Sequence, residues 1–99
     1  MPRRRGIDRQ PRAYVVDGDW PDGTLDVDAP AAVLATAQLV RRIRAAMGAR
    51  SARDVAVAAD LQHTTLLALL RGERIPDIST VLKLERALDA DLWPGGREG

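Results

Sequence analysis

The sequence predicts an all-α domain of four to five helices, preceded by a basic arm and by a segment that is either extended or a short β-hairpin. Apolar residues recur at helical spacing from residue 31 to residue 88, and turn-forming residues interrupt this period after each expected helix. The residues before position 31 show no such period. With 99 residues, the chain has room for one hydrophobic core but not for two.

The composition excludes several classes of function. There is no cysteine, which rules out disulfides, thiolate metal sites and cysteine nucleophiles, and the single histidine, His63, argues against zinc and Ser-His catalysis. No carboxylate pair, metal-ligand cluster or phosphate-binding loop has a useful spacing, so we expect no enzyme activity, no metal and no cofactor. Two Trp and one Tyr are too few aromatic side chains for a platform that stacks single-stranded nucleic acid.

The net charge of +1 averages over blocks of opposite sign along the chain. Residues 1–12 carry five Arg and one Asp, residues 13–30 carry five Asp and no base, and residues 31–53 carry five Arg and no acid. Local blocks set local fields, so the near-neutral total does not exclude a polyanionic partner. The acidic block either folds over the Arg-rich face as a mask or forms a solvated loop, and the loop is the favoured interpretation.

The chain divides into four expected segments. Residues 1–12 are expected to be a flexible basic arm and residues 95–99 a disordered tail, because both lack periodicity and contain Pro or Gly. Residues 13–28 are predicted to be an acidic extended segment or a β-hairpin, which would pack on the domain or on a second copy because an isolated hairpin is marginally stable. Residues 29–94 are the predicted helical domain.

No targeting or membrane segment is evident in the sequence. The basic residues at the start are not followed by an apolar region of the kind found in secretory signals. No apolar run approaches the roughly 20 residues that a membrane span needs. We therefore expect a cytoplasmic protein with no membrane partner.

The apolar period predicts the ends and inner faces of the helices. A first helix over residues 31–47 is expected to end at Gly48, and a second to open at the N-cap Ser51. A third runs from about His63 to Arg71, and Asp77 is expected to cap the fourth. The predicted inner faces comprise Leu39, Val40, Ile43, Ala46 and Met47 in the first helix, Ala52, Val55, Ala56 and Ala59 in the second, Leu66, Leu69 and Leu70 in the third, and Ile78, Val81, Leu82 and Leu88 in the fourth, with Leu84 beside them. Trp93 is expected to cap the core or to join a dimer interface.

The second and third helices have the pattern of a helix-turn-helix. They are short, a turn of about three residues joins them, and small Ala side chains on the first allow the second to cross closely. The third helix packs on the second through its apolar residues Leu66 and Leu69. Its opposite face is nearly uncharged and consists of His63, Thr64, Leu67, Ala68 and Arg71. A helix with such a face fits the B-DNA major groove, which is about 12 Å wide.

Residues 51–93 resemble the lambda-repressor-like helix-turn-helix family, also called the XRE or Cro/C1 type. The matching motifs are V-A-x-x-A at residues 55–59, T-L-x-x-L-L-R-G at 65–72, Pro76, and S-T-V-L-K-L-x-x-A-L-D at 79–89. The resemblance implies a five-helix DNA-binding domain, usually dimeric, with its third helix in the major groove. Three positions depart from the family pattern: Ala52 replaces a phosphate-binding Gln, Asp60 a turn Gly, and Leu70 a frequent Glu.

The resemblance also implies roles for individual residues. The implied base-reading residues are His63, Thr64 and Ala68, with Leu67 placed to touch a thymine methyl group. The implied phosphate contacts are Gln62, Arg50, Arg53, Arg71 and Arg74. Arg3, Arg4 and Arg5 either enter a minor groove or belong to a simple tail. His63 could instead be a solvated first-turn residue, and Leu67 could face a protein partner or stay exposed.

Two functions are compatible with these features. The first is a sequence-specific DNA-binding transcriptional regulator, with repression as the favoured role, that binds a pseudo-palindromic operator as a homodimer through the recognition helix at 63–71. The alternative is a protein-interaction module, such as the antitoxin of a toxin–antitoxin pair that also binds DNA to regulate its own synthesis. In that case Leu67 and the acidic segment would face the partner protein.

Overall fold

A computed structural model of the chain describes residues 9–93. In order, the elements are a 3₁₀ helix (Pro11–Tyr14), strands β1 (Val15–Asp17) and β2 (Thr24–Leu25), and helices α1 (Ala31–Met47), α2 (Ala52–Ala58), α3 (His63–Leu70) and α4 (Ile78–Leu88). The predicted all-α domain with a preceding hairpin is confirmed, with four α-helices among the described residues. The predicted tail at 95–99 lies outside these residues, as does the predicted arm up to residue 8. None of the helices between residues 9 and 93 has both the length and the apolar character needed to cross a membrane.

Two helices begin at the predicted N-caps. The Ser51 Oγ accepts a hydrogen bond from the Asp54 N–H at 3.0 Å, and the Asp77 Oδ1 accepts one from the Thr80 N–H at 2.8 Å. Each bond satisfies a backbone donor that the first helical turn leaves unpaired. The local signals in the sequence therefore set where α2 and α4 begin.

The Asp77 cap predicts a specific dependence of stability on pH. The hydrogen bonds from the Thr80 N–H and hydroxyl, with smaller contributions from Arg74 and Lys83, lower the Asp77 pKa below its ordinary 3.8. Because the folded-state pKa lies below the unfolded one, the ionised carboxylate stabilises the fold above pH 3.8, and this contribution disappears as the pH falls through the lowered value. Asp77→Asn keeps a capping oxygen but cannot titrate, so its free energy of unfolding should decrease less on acidification. Denaturant titrations of both proteins from neutral pH to below 3.8 measure this, and identical pH profiles would contradict it.

The core lies where the four helices meet. It contains Leu39, Val40 and Ile43 of α1, Val55 and Ala56 of α2, Leu66, Leu69 and Leu70 of α3, Val81 and Leu84 of α4, and also Ala59 and Leu92. These residues confirm the predicted stripe of α3 and most of those of α1 and α2, whereas Ala46, Met47 and Ala52 are only partly buried against the core. The small side chains of Ala56 and Ala59 let α2 and α3 pack closely.

The predicted inner face of α4 is wrong at two positions. Ile78 and Leu82 are 65% and 55% exposed, whereas Leu84, which we expected beside the stripe, is fully buried. Val81 and Leu84 are three positions apart and point into the core, so Ile78 and Leu82 lie at the edge of the core-facing side. The apolar period allows either orientation, and the packing of α4 against α1 and α2 selects one.

The segment before α1 is a hairpin that packs on the helical domain. β1 and β2 are antiparallel, with Val15 opposite Leu25 and an irregularity between Val15 and Asp17. Arg41 Nη1 of α1 donates a hydrogen bond to the Pro21 carbonyl oxygen at 2.9 Å. The pairing thus favours the hairpin over an irregular extended segment, and the Arg41 hydrogen bond joins the hairpin to α1.

Candidate nucleic-acid interface

Helix α3 has one buried face and one available face. Leu66 and Leu69 are at most 1% exposed and anchor the helix in the core. On the other side, Thr64 and Arg71 are exposed, and His63, Leu67 and Ala68 are half-buried. The residues predicted to read bases therefore share one face of α3, as their spacing requires.

The turn before α3 sets the angle between α2 and α3. Asp60 adopts a left-handed conformation with φ of 57°, and the Leu61 N–H donates to the Ala56 carbonyl oxygen at 2.9 Å. Aspartate is among the few non-glycine residues that adopt this conformation readily, so it can replace the glycine usual in the family. Gln62 follows as the N-cap of α3, and its exposed side chain makes no capping hydrogen bond. Its amide is therefore available to a ligand.

The C-terminal end of α3 is held from two sides by contacts that sequence reasoning missed. Arg44 Nη2 of α1 donates to the Leu70 carbonyl oxygen at 3.0 Å. On the other side, the Arg12 N–H donates to the Gly72 carbonyl oxygen at 2.9 Å, and the Arg12 guanidinium forms an ion pair with Glu73 at 3.3 Å. One feature of the sequence indicates that the hairpin packs here: Trp20 is a large aromatic residue in a turn that is otherwise rich in Asp and Gly.

Trp20 lies directly against Gly72. A Cβ atom placed on Gly72 would come within 2.7 Å of two ring carbons of Trp20. The indole N–H is buried and has no hydrogen-bond partner among the described residues, so the ring contributes apolar packing alone. The sequence pattern predicts only that Gly72 ends a helix. In the structure Gly72 has a second role, because the absence of a side chain lets the Trp20 ring pack directly against its backbone.

The sequence model of the helix-turn-helix family HTH_3 matches residues 40–92, which is more than half of the chain. The chain belongs to the lambda-repressor-like helix-turn-helix family. This family comprises DNA-binding domains, and the matched range runs from the later part of α1 through α2, α3 and α4. No curated protein and no solved structure gives a significant match. The hairpin and the first part of α1 lie outside the matched range.

The arginines of this helix-turn-helix protein fall into two groups. Those on α1 form internal hydrogen bonds: Arg41 with Pro21, Arg42 with Trp93, and Arg44 with Leu70. By contrast, the guanidinium groups predicted to contact phosphates are exposed and form no hydrogen bond or ion pair among residues 9–93; they are those of Arg50, Arg53, Arg71 and Arg74. Arg86 on α4 is exposed and unengaged in the same way.

The two groups follow the position of each arginine in the helix-turn-helix. Arg50 and Arg53 lie at the start of α2, and Arg71 and Arg74 lie just beyond the end of α3. Guanidinium groups at these places can reach a polyanion without breaking a hydrogen bond or an ion pair to another described residue. Arg3, Arg4 and Arg5, the predicted minor-groove arm, lie outside the described residues.

The acidic segment does not mask these arginines in the described part of the chain. No aspartate carboxylate between residues 13 and 30 forms an ion pair there with an arginine of residues 9–93. Asp26 Oδ1 instead accepts a hydrogen bond from the Asp28 N–H at 2.8 Å, which stabilises the turn before α1. These contacts favour the solvated loop over the mask.

Two of the family departures have a visible structural basis. Leu70 is 7% exposed and packs into the core, where the family often places a glutamate. Ala52 is half-buried against the core and has no polar side chain to offer a phosphate. Position 52 therefore offers a phosphate no side-chain donor, and Arg50 and Arg53 are the exposed cations nearest to the start of α2.

Proposed function

We propose that this protein is a cytoplasmic, sequence-specific DNA-binding transcriptional regulator that acts as a repressor. In this proposal two copies bind a pseudo-palindromic operator, each inserting the helix at residues 63–71 into the major groove. The observation that carries the proposal is the outward face of α3, flanked by Arg50, Arg53, Arg71 and Arg74, whose guanidinium groups form no hydrogen bond or ion pair among residues 9–93. A nearly uncharged reading face with cations at its margins suits a duplex, whose bases lie between two phosphate backbones.

The proposed base readers have different chemistry. Thr64 can donate or accept a hydrogen bond at a base edge, and His63 can do so through a ring nitrogen. Leu67 and Ala68 offer apolar surface suited to thymine methyl groups. We therefore expect half-sites that contain thymine at positions facing the middle of α3.

The proposed phosphate contacts position α3 without reading sequence. Arg50 and Arg53 would lie along one backbone, and Arg71 and Arg74 along the other, with the Gln62 amide at the start of α3. Since α3 has only eight residues, one copy reads few base pairs. Two copies with recognition helices about 34 Å apart would read two half-sites one helical turn apart.

The proposal is tested by selecting bound duplexes from a random pool with the full-length protein. We expect enrichment of a two-fold symmetric sequence with half-sites about 10 base pairs apart. Thr64→Ala should relax selection at one position per half-site and cost about 1–3 kcal/mol of discrimination there. Ser79→Ala, a similar change at an exposed position on α4, is the matched control and should leave the selected sequence unchanged. Failure to enrich any sequence would refute sequence-specific binding.

The antitoxin alternative is favoured by one observation. The carboxylates of Asp17, Asp19 and Asp22 are exposed and unpaired among the described residues, which suits a basic protein partner. In that case a second small basic protein should co-purify, and converting these three aspartates to asparagine should release it. The selected DNA sequence would persist, because such antitoxins also bind their operators.

A further inference from the structure

Two of the arginines proposed to contact phosphates are carried by the turn that follows α3. Arg71 comes directly after the last residue of the helix, and Arg74 comes three residues later. Between them lie Gly72, with a positive φ of +73°, and Glu73. The direction in which a side chain leaves the chain depends on the backbone that carries it. The placement of both arginines therefore depends on how this turn, residues 71–74, is held; we call it the α3 turn.

Both residues between the two arginines contact the segment that precedes α1. The Arg12 N–H donates to the Gly72 carbonyl oxygen at 2.9 Å, and the Arg12 guanidinium pairs with the Glu73 carboxylate at 3.3 Å. The Trp20 ring packs so closely on Gly72 that a Cβ atom there would come within 2.7 Å of two ring carbons. A hydrogen bond, an ion pair and an apolar contact thus hold the α3 turn against one segment, residues 11–25, which we call the hairpin segment.

The hairpin segment is itself fixed to the helical domain. The side chains of Pro11 and Pro21 are fully buried, and Tyr14 is also buried. Arg41 Nη1 of α1 donates a hydrogen bond to the Pro21 carbonyl oxygen at 2.9 Å. Because close-packed side chains hold one arrangement, the hairpin segment is a rigid support between α1 and the α3 turn.

Trp20 has no group of its own to offer DNA. Its side chain carries no charge, and its indole N–H is buried. Arg71 and Arg74 do have such groups, and neither guanidinium forms a hydrogen bond or an ion pair with another residue between 9 and 93. Their placement therefore comes from the backbone of the α3 turn. A backbone that is already held in place loses less conformational entropy on binding than a mobile one.

We propose that Trp20 and Arg12 are positioning residues for DNA binding. By holding the α3 turn, they place the guanidinium groups of Arg71 and Arg74 against the phosphate backbone beyond the end of α3. This positioning role rests on the proposed function, because these two arginines are among those proposed there to contact phosphates. It gives the hairpin segment, which lies outside the range that the family model matches, a part in DNA binding.

The test is a double-mutant cycle on DNA affinity, measured by fluorescence anisotropy with the full-length chain. Phosphate contacts carry no sequence information, so the probe is a fluorescein-labelled duplex of mixed sequence. Trp20→Ala should weaken binding by about tenfold. It should also make the slope of log affinity against log salt shallower by about 0.9 for each phosphate contact that is lost. Since this substitution removes no charge, a change in slope reports displaced arginines.

Two arginine backgrounds separate positioning from a general loss of structure. With Arg71→Gln and Arg74→Gln together, Trp20→Ala should weaken binding further by no more than about twofold, because the contacts it disturbs are already absent. With Arg50→Gln and Arg53→Gln together, the full loss of about tenfold should remain. A variant that merely lowers the folded fraction would weaken binding equally in both backgrounds.

Two further variants complete the set. Val16→Ala is the matched control, because Val16 lies in the hairpin segment and is 64% exposed, and its variant should bind DNA as the wild type does. Arg12→Ala keeps the backbone N–H and removes the ion pair with Glu73; its side chain is 47% exposed, so this variant should fold even if Trp20→Ala does not. It should show the same difference between the two arginine backgrounds, and circular dichroism checks the helix content of every variant.

Each outcome decides for or against the positioning role. An equal loss in both arginine backgrounds, an unchanged affinity, or tighter binding by the Trp20 and Arg12 variants overturns it. Such a result leaves the proposed function intact if selection from the random pool enriches a symmetric sequence. The expected difference between backgrounds without any enriched sequence supports the positioning role and overturns sequence-specific regulation. A wild-type protein that binds no duplex overturns both.

Discussion

Replacing Gly72 with alanine is expected to lower the free energy of unfolding by about 2–5 kcal/mol. Gly72 has a φ of +73°, where an L side chain is strained. The new Cβ would also lie 2.7 Å from Trp20 ring carbons and 2.9 Å from the Arg12 Cβ, so the hairpin would have to move. A domain of this size is stabilised by only about 5–15 kcal/mol, so the decrease is a large fraction of the total.

A double-mutant cycle separates the two causes of this destabilisation. In a Trp20→Ala background the ring is absent, so Gly72→Ala should lower the free energy of unfolding by less than it does in the wild type. The difference between the two decreases measures the steric conflict between the new Cβ and the Trp20 ring. Gly48→Ala is a second control, because Gly48 also has a positive φ, +58°, but no heavy atom would lie within 4 Å of its new Cβ. Denaturant unfolding of the four proteins of the cycle and of this control gives the energies. An equal cost of Gly72→Ala in both backgrounds would show that Trp20 does not press on this glycine.

The second large effect concerns DNA binding. Changing Arg50, Arg53, Arg71 and Arg74 together to glutamine should lower DNA affinity by about tenfold for each arginine–phosphate interaction that the change removes. The slope of log affinity against log salt should become shallower by about 0.9 per arginine, or about 3.6 for all of them. The fold should survive, because these side chains make no hydrogen bond or ion pair among the described residues.

Two control variants test whether position determines this effect. Arg86→Gln removes an exposed, unengaged arginine on α4, outside the helix-turn-helix, and should leave the salt slope unchanged. Arg44→Gln removes an arginine that donates a hydrogen bond to the Leu70 carbonyl oxygen. It should lower the free energy of unfolding and leave the slope of log affinity against log salt close to that of the wild type. Fluorescence anisotropy over a series of salt concentrations measures all of these slopes. If the variant with all four Arg→Gln changes keeps the wild-type slope of log affinity against log salt, the phosphate contacts lie elsewhere.

The predictions that succeeded depend on interactions between near neighbours in the chain. The bounds of α1 and the Ser51 and Asp77 caps follow from side chains that act within about one helical turn. The division of α3 into a buried face and an outward face follows from the same periodicity. These features could be predicted because their causes are local.

The orientation of α4 could not be predicted in this way. Ile78, Val81, Leu82 and Leu84 all fit a broad apolar side of one helix, so the sequence permits several orientations. The packing of α4 against α1 and α2 buries Val81 and Leu84 and leaves Ile78 and Leu82 exposed.

Short-range periodicity and capping carry enough information to define the helices, their caps and membership of the helix-turn-helix family from the order of residues alone. The packing of distant segments, by contrast, places Trp20 of the hairpin on Gly72 and gives the arginines of α1 their hydrogen-bond partners. It leaves Arg50, Arg53 and Arg71 without a hydrogen bond or an ion pair among residues 9–93. The physical reason is that a guanidinium or an indole finds its partner across segments distant in sequence. Such partners depend on how the helices pack, which the pattern of any single segment does not record.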